Sequence, residues 1–93
     1  MKFNNKKQYD FNGIKISCKS IKEAKLLLKI AHEQGYKWNS GKSYLEEMHW
    51  YDGIKEVHYD IARGYYNDFS YIQTFLPDDV ISFEEFIKTR VLT

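Results

Sequence analysis

Ser20-Ile21-Lys22-Glu23, with Gly35 a helix-length further on, constrains this chain more than any other feature. A serine followed three residues later by glutamate is a capping box, in which each side chain satisfies a backbone N–H that the first helical turn leaves unpaired. Ile21, Ala24, Leu27, Leu28 and Ala31 then recur on one side, while Lys22, Lys25, Lys29 and Glu33 face outward. The helix is predicted to run to about Gln34, where Gly35 supplies the left-handed residue that stops it. A helix with one apolar stripe must lay that stripe on a second layer.

Strand signals surround it. Asn12-Gly13 between Tyr9-Asp10-Phe11 and Ile14–Cys18 suits a type I′ turn and predicts a hairpin with Ile14, Ile16 and Cys18 on one face. Tyr36-Lys37-Trp38 reads as a strand leaving the helix, broken by Asn39-Ser40-Gly41. Asp52-Gly53 is a second tight-turn signal, between His49-Trp50-Tyr51 and Ile54–Ile61. Val57, Tyr59 and Ile61 alternate with Glu56, His58 and Asp60, as a half-buried antiparallel strand would. Arg63-Gly64 turns the chain into a strand over Tyr65–Phe75, ended by Leu76-Pro77-Asp78-Asp79. Ser82-Phe83-Glu84-Glu85 is a second capping box, opening a short helix with Phe83, Phe86, Ile87 and Val91 on one side. The expected fold is α+β: an antiparallel sheet of about four to six strands, one long helix on a face and a short C-terminal helix.

Ninety-three residues, 43% of them hydrophobic and only one of them proline, suit a single domain over 1–93. No stretch reaches the roughly 18 apolar residues of a membrane span, and Met1–Asn5 opens no secretory apolar run. The lone Cys18 cannot close an internal disulfide, so the expected home is a reducing cytoplasm, with no membrane partner. Net charge is +1, unevenly spread. Residues 1–45 carry ten lysines against three acids, a net +7; residues 46–93 carry four cations against ten acids, a net −6. A chain this balanced is not expected to bind duplex DNA.

Several chemistries fail on spacing. Gly41-Lys42-Ser43 resembles the end of a P-loop, but five residues separate Gly35 from Gly41 where the motif needs four, and the loop follows a helix instead of opening one. His32, His49 and His58 form no paired metal-ligand spacing, and Glu46, Glu47 and Asp52 lack the order of a calcium loop. Cys18 lies on the apolar side of its strand, where a thiol behaves as a small hydrophobe. The expectation is a non-catalytic protein without metal or cofactor.

Two segments suit ligand binding. In Tyr36–Tyr44, Lys37 and Lys42 interleave with Tyr36, Trp38 and Tyr44 around Asn39, a composition in which rings stack on bases and cations hold phosphates. The same alternation also suits rings in the core and lysines in solvent. In Arg63-Gly64-Tyr65-Tyr66, an arginine sits in a turn beside two tyrosines that must face opposite ways. The candidate ligand-binding residues are therefore Lys37, Trp38, Asn39, Lys42, Tyr44, Arg63, Tyr65 and Tyr66.

The order Ser-Ile-Lys-Glu-Ala, Gly-Tyr-Lys-Trp-Asn-Ser-Gly, a tryptophan-containing strand and Ile-Ser-Phe-Glu-Glu-Phe-Ile covers Ser20 to Ile87. It resembles small accessory proteins of tailed phages and prophages. The resemblance implies antagonism of a bacterial defence pathway, either by sequestering a nucleotide-derived signal as a sponge or by gripping a host defence protein as an anti-CRISPR-like inhibitor. It carries no residue roles with it. A small enzyme is the third reading. The aromatic content and the charge asymmetry predict a homo-oligomer, in the first instance a two-fold dimer.

Overall fold

The computed structural model describes residues 7–92, so the reading of Met1–Asn5 lies outside the described residues. Helix α1 spans Ile21–Glu33. Ser20 Oγ accepts the Glu23 N–H at 3.1 Å, as a capping serine should. The Glu23 carboxylate reaches one residue further back than the capping box implies, to the Lys19 N–H at 2.9 Å. At the other end Gly35, at φ +92°, donates to His32 O while Tyr36 donates to Ala31 O, each at 3.0 Å. These two bonds are the glycine-closed helix terminus that the sequence predicts. Ala24, Leu27, Leu28 and Ala31 are buried, whereas Ile21, expected on the same stripe, is exposed at the first turn.

Four strands form one sheet: β1 (Lys15–Cys18), β2 (Glu56–Asp60), β3 (Tyr65–Phe69) and β4 (Val80–Ser82), in the spatial order β3-β2-β1-β4. Helix α2 (Phe83–Thr89) follows directly, with Ser82 Oγ accepting the Glu85 N–H. The fold is α+β, with the long helix and the short C-terminal one. The sheet is mixed: β1 pairs antiparallel with β2, but parallel with β4. A parallel neighbour needs a long crossover, and β4 belongs to the far end of the chain.

Four local expectations fail for reasons of distance. Asn12-Gly13 is a turn, closed by Asp10 Oδ1 accepting the Asn12 N–H, but it makes no hairpin. Tyr9 bridges to Val91 instead, and Arg90 donates to Asp10 O, Asp10 Oδ2 and Asn12 O. Tyr36–Trp38 is not a strand; Lys37 makes one isolated bridge to Ser43. Residues 49–51 are likewise irregular, with Ile54 N–H closing the Asp52-Gly53 turn onto Tyr51 O. Strand β3 stops at Phe69, well short of Phe75, because the chain turns so that the Gln73 N–H meets Glu56 Oε1 at 2.9 Å.

The register puts Ile16 beside Tyr59 and Cys18 beside Val57 on the face that joins α1 in one apolar core, together with Phe11, Trp38, Tyr44 and Phe86. On the opposite face, Glu56 and His58 are buried as well, although their alternation reads as solvent-facing. Glu56 accepts from Ser17 Oγ (2.7 Å), the Gln73 N–H and His58 Nε2. Burial pushes the Glu56 carboxyl up, but the Gln73 N–H, His58 and Ser17 outweigh it and hold the group below its usual value. Ser17 and His58 both donate to the same carboxylate, so His58 is not placed to take a proton from Ser17.

Candidate binding site

The irregular segment between α1 and β2 is braced by one hydrogen bond within it and three to β2 and the turn that follows it, all from otherwise stranded groups. Trp38 Nε1 donates to Glu47 O at 2.8 Å, Tyr44 Oη to Ile61 O at 2.8 Å, and Tyr59 Oη to Met48 O at 2.7 Å. The Asn39 N–H donates to Gly64 O at 3.1 Å, in the turn between β2 and β3. That contact requires glycine: Gly64 sits at φ +80°, and a Cβ there would lie 2.3 Å from Asn39 N. The loop carrying the first candidate segment is thereby held against the turn carrying the second.

Between them lies a depression of about 300 Å³. Trp38, Asn39 and Ser40 form one side, Gly64, Tyr65 and Tyr66 another, and Glu47 and His49 a third. His49 is the least ordinary residue of the site. It holds φ +59°, the only described non-glycine residue in the left-handed region, a conformation that costs energy and needs surroundings to enforce it. Here the surroundings are rings: His49 stacks on Tyr66 with centroids 4.1 Å apart and planes 10° off parallel, and Trp38 meets it edge-on at 4.6 Å. Its nitrogens are taken by Glu47 Oε2 at 3.1 Å and Tyr51 Oη at 2.9 Å.

Glu47 joins this cluster to Lys42, whose Nζ lies 2.9 Å from Glu47 Oε1. The hydrogen bond between them holds Glu47 below the usual carboxylate range and Lys42 above the usual lysine one. Burial pushes the Tyr66 phenol up, with Tyr51, Asp68 and Glu47 adding to it. The wall therefore offers the Glu47 carboxylate, already shared with Lys42 and His49, the amide of Asn39, the hydroxyl of Ser40 and the exposed Tyr65 ring. This arrangement suits a flat ring bearing N–H donors.

The candidate residues separate in space. Trp38, Asn39, Tyr65 and Tyr66 converge on the depression, and Lys42 reaches its edge through Glu47. Trp38, expected as a stacking platform, is only 4% exposed and its N–H is spent. Tyr44 is buried beneath it, edge-on at 4.6 Å, with burial pushing its phenol up. The ring offered to solvent is Tyr65, 55% exposed. Lys37 faces a separate shallow cleft with His32 and Tyr36. Arg63 lies at the outer end of the turn, its side chain 78% exposed and its Nε 4.0 Å from Asp60 Oδ2. Glu47 and His49 are the residues that sequence reasoning missed. Their two-residue spacing with Tyr51 carries no signal, because alternate residues share a side only in an extended segment and His49 holds φ +59°.

Elsewhere, Ser43 Oγ lies 3.2 Å from His32 Nδ1, but it also accepts the Leu45 N–H, an arrangement that serves the local turn. Among the described residues, no three of His, Cys, Asp or Glu converge to hold a metal ion, and no helix is long and apolar enough to cross a membrane. Comparison with known protein families, curated proteins and solved structures found no match.

Proposed function

We propose that this chain is a non-catalytic binding protein of the phage accessory type, sequestering a nucleotide-derived signal of a bacterial defence pathway. The observation that supports it is convergence. Part of each segment singled out by composition, 38–40 and 64–66, meets at one depression, held together by Asn39 N–H on Gly64 O. In this reading a base enters beside Tyr65, its N–H edge facing Glu47 and the Asn39 amide, and stacking contributes about 1–3 kcal/mol per base. Lys42 is already neutralised by Glu47, so the phosphates run outward toward Arg63, whose fork suits bidentate contacts. Titration calorimetry against cyclic nucleotides and ADP-ribose derivatives tests this. The expected result is saturable binding, weakened by Tyr65→Ala and Arg63→Ala, with the ligand recovered chemically unchanged after heat release. An altered ligand would instead indicate turnover.

A second reading, inhibition of a host defence protein by direct contact, is favoured by the edge position of β3, where Tyr65, Asn67 and Asp68 are exposed. An unpaired edge can receive a strand from a partner. No heat across the nucleotide panel, together with a host protein captured in stoichiometric amount, would favour this reading over the first.

A further inference from the structure

A second depression, of about 460 Å³, shares no residue with the first. Leu28, Tyr44, Leu45 and Met48 give it an apolar floor, and Lys25 and Lys29 stand one helical turn apart on its rim. Glu33 and Glu46 are also on the rim, with the Glu46 carboxylate turned onto the Ser43 N–H at 2.9 Å. Lys25 and Lys29 make no ion pair among the described residues. The volume lies within the range of ordinary binding pockets.

The chain itself carries a segment of complementary chemistry. Phe75 is 86% exposed, the most exposed of the large apolar side chains described, and it leads into Leu76-Pro77-Asp78-Asp79. The Pro77–Val80 side of that turn is held by hydrogen bonds and an ion pair. Val80 N–H closes onto Pro77 O, Lys15 N–H donates to Asp79 O, and Lys15 Nζ reaches Asp79 Oδ2 at 3.1 Å. Asp78 is exposed and makes no ion pair among the described residues. Anchored at the start of β1, the turn contributes no residue to the lining of its own chain's depression.

We propose that the Leu28–Leu45–Met48 depression receives the Phe75–Asp79 turn of a second copy, with Phe75 on the apolar floor and Asp78 facing Lys25 and Lys29. A preformed turn loses little freedom on docking, which favours it over a flexible peptide. The lysine rim belongs to the half of the sequence carrying +7, and the inserted turn to the half carrying −6. The contact joins different patches on the two copies, so it closes when exchanged reciprocally and otherwise propagates.

Sedimentation velocity of the full chain tests it, from low to high micromolar concentration and in low and high salt. The expected mass exceeds the 11.2 kDa monomer and falls as salt screens the lysine rim. Phe75→Ala and the double variant Lys25→Glu/Lys29→Glu each weaken association at least tenfold. Asp78→Lys alone does the same, and mixing it with the double glutamate variant restores association, because each chain then offers what the other receives. Circular dichroism establishes that every variant is folded. A monomer at every concentration, assembly indifferent to Phe75→Ala, or a mixture that stays monomeric would overturn the proposal. So would a small amphiphile retained by monomeric protein in native mass spectrometry, which would give the depression to that ligand.

Discussion

Replacing Gly64 with alanine separates two costs that usually arrive together. The first is conformational: at φ +80° an L-residue pays about 1–2 kcal/mol that glycine does not. The second is steric. The added methyl would lie 2.3 Å from Asn39 N and 2.8 Å from Trp38 C, both backbone atoms, so the 38–39 loop must retreat by about 0.7 Å to reach the 3.0 Å floor of real contacts. Forcing a methyl into so packed a contact costs about 1–3 kcal/mol, and the Asn39 N–H to Gly64 O bond, worth about 0.5–1.5 kcal/mol, is strained or lost. Gly53 supplies the control. It sits at φ +89° with nothing within 4 Å of where a methyl would stand, so Gly53→Ala carries the conformational cost alone. Urea unfolding should place Gly64→Ala about 2–6 kcal/mol below wild type and Gly53→Ala only about 1–2 kcal/mol below. If the two variants fall within about 0.5 kcal/mol of each other, the loop is not pinned to the turn, and the depression between Asn39 and Tyr65 is not a preformed site.

Leu28→Ala should cost about 2–5 kcal/mol in the same assay, since Leu28 is 2% exposed on the core side of α1. Glu56 titrates below its unfolded value, so its stabilisation is complete above about pH 4.3 and is lost as pH falls through the lower folded value. Stability measured from about pH 6 down to about pH 2 should therefore fall more steeply in wild type than in Glu56→Gln; parallel curves would show that Glu56 contributes no pH dependence. Burial raises the Cys18 thiol well above its usual range, with Glu23 and Glu56 adding to it, so a thiol reagent should label native protein far more slowly than unfolded protein. Equal labelling rates would mean that β1 opens freely.

The legible parts of this fold are those whose energy is local. Ser20, Gly35 and Ser82 set helix ends through bonds spanning three to five residues, and the sequence states such bonds directly. Asn12-Gly13 carries an equally clear turn signal, yet the partner strand it implies is displaced by Val91 and Arg90, which no local pattern announces. Glu56 and His58 alternate with apolar neighbours as solvent-facing residues do, but Gln73 returns to Glu56 and Phe69 packs on the His58 ring, and both are buried. The depression was half visible. Composition picked out Asn39 and Tyr65, but Trp38 and Tyr44 fell to the competing demand of the core for large rings. His49 could not be read as central, because its left-handed backbone is imposed by Tyr66 and Trp38 closing on its ring.

The placement of β4 beside β1 bears on how the chain is made. Ile16 meets Ile81, Tyr9 meets Val91, and Phe11 stacks on Phe86, so the first strand waits for the last segments before it has both neighbours and a covered flank. Contacts this far apart in sequence close slowly, and a chain emerging from the ribosome N-terminus first cannot complete them until residues 80–91 are free. A nascent chain stalled just before Val80 holds α1, β1, β2 and β3 but leaves one edge of β1 bare. It is at that stage of synthesis, more than in the finished protein, that neighbouring chains would find a strand to pair with.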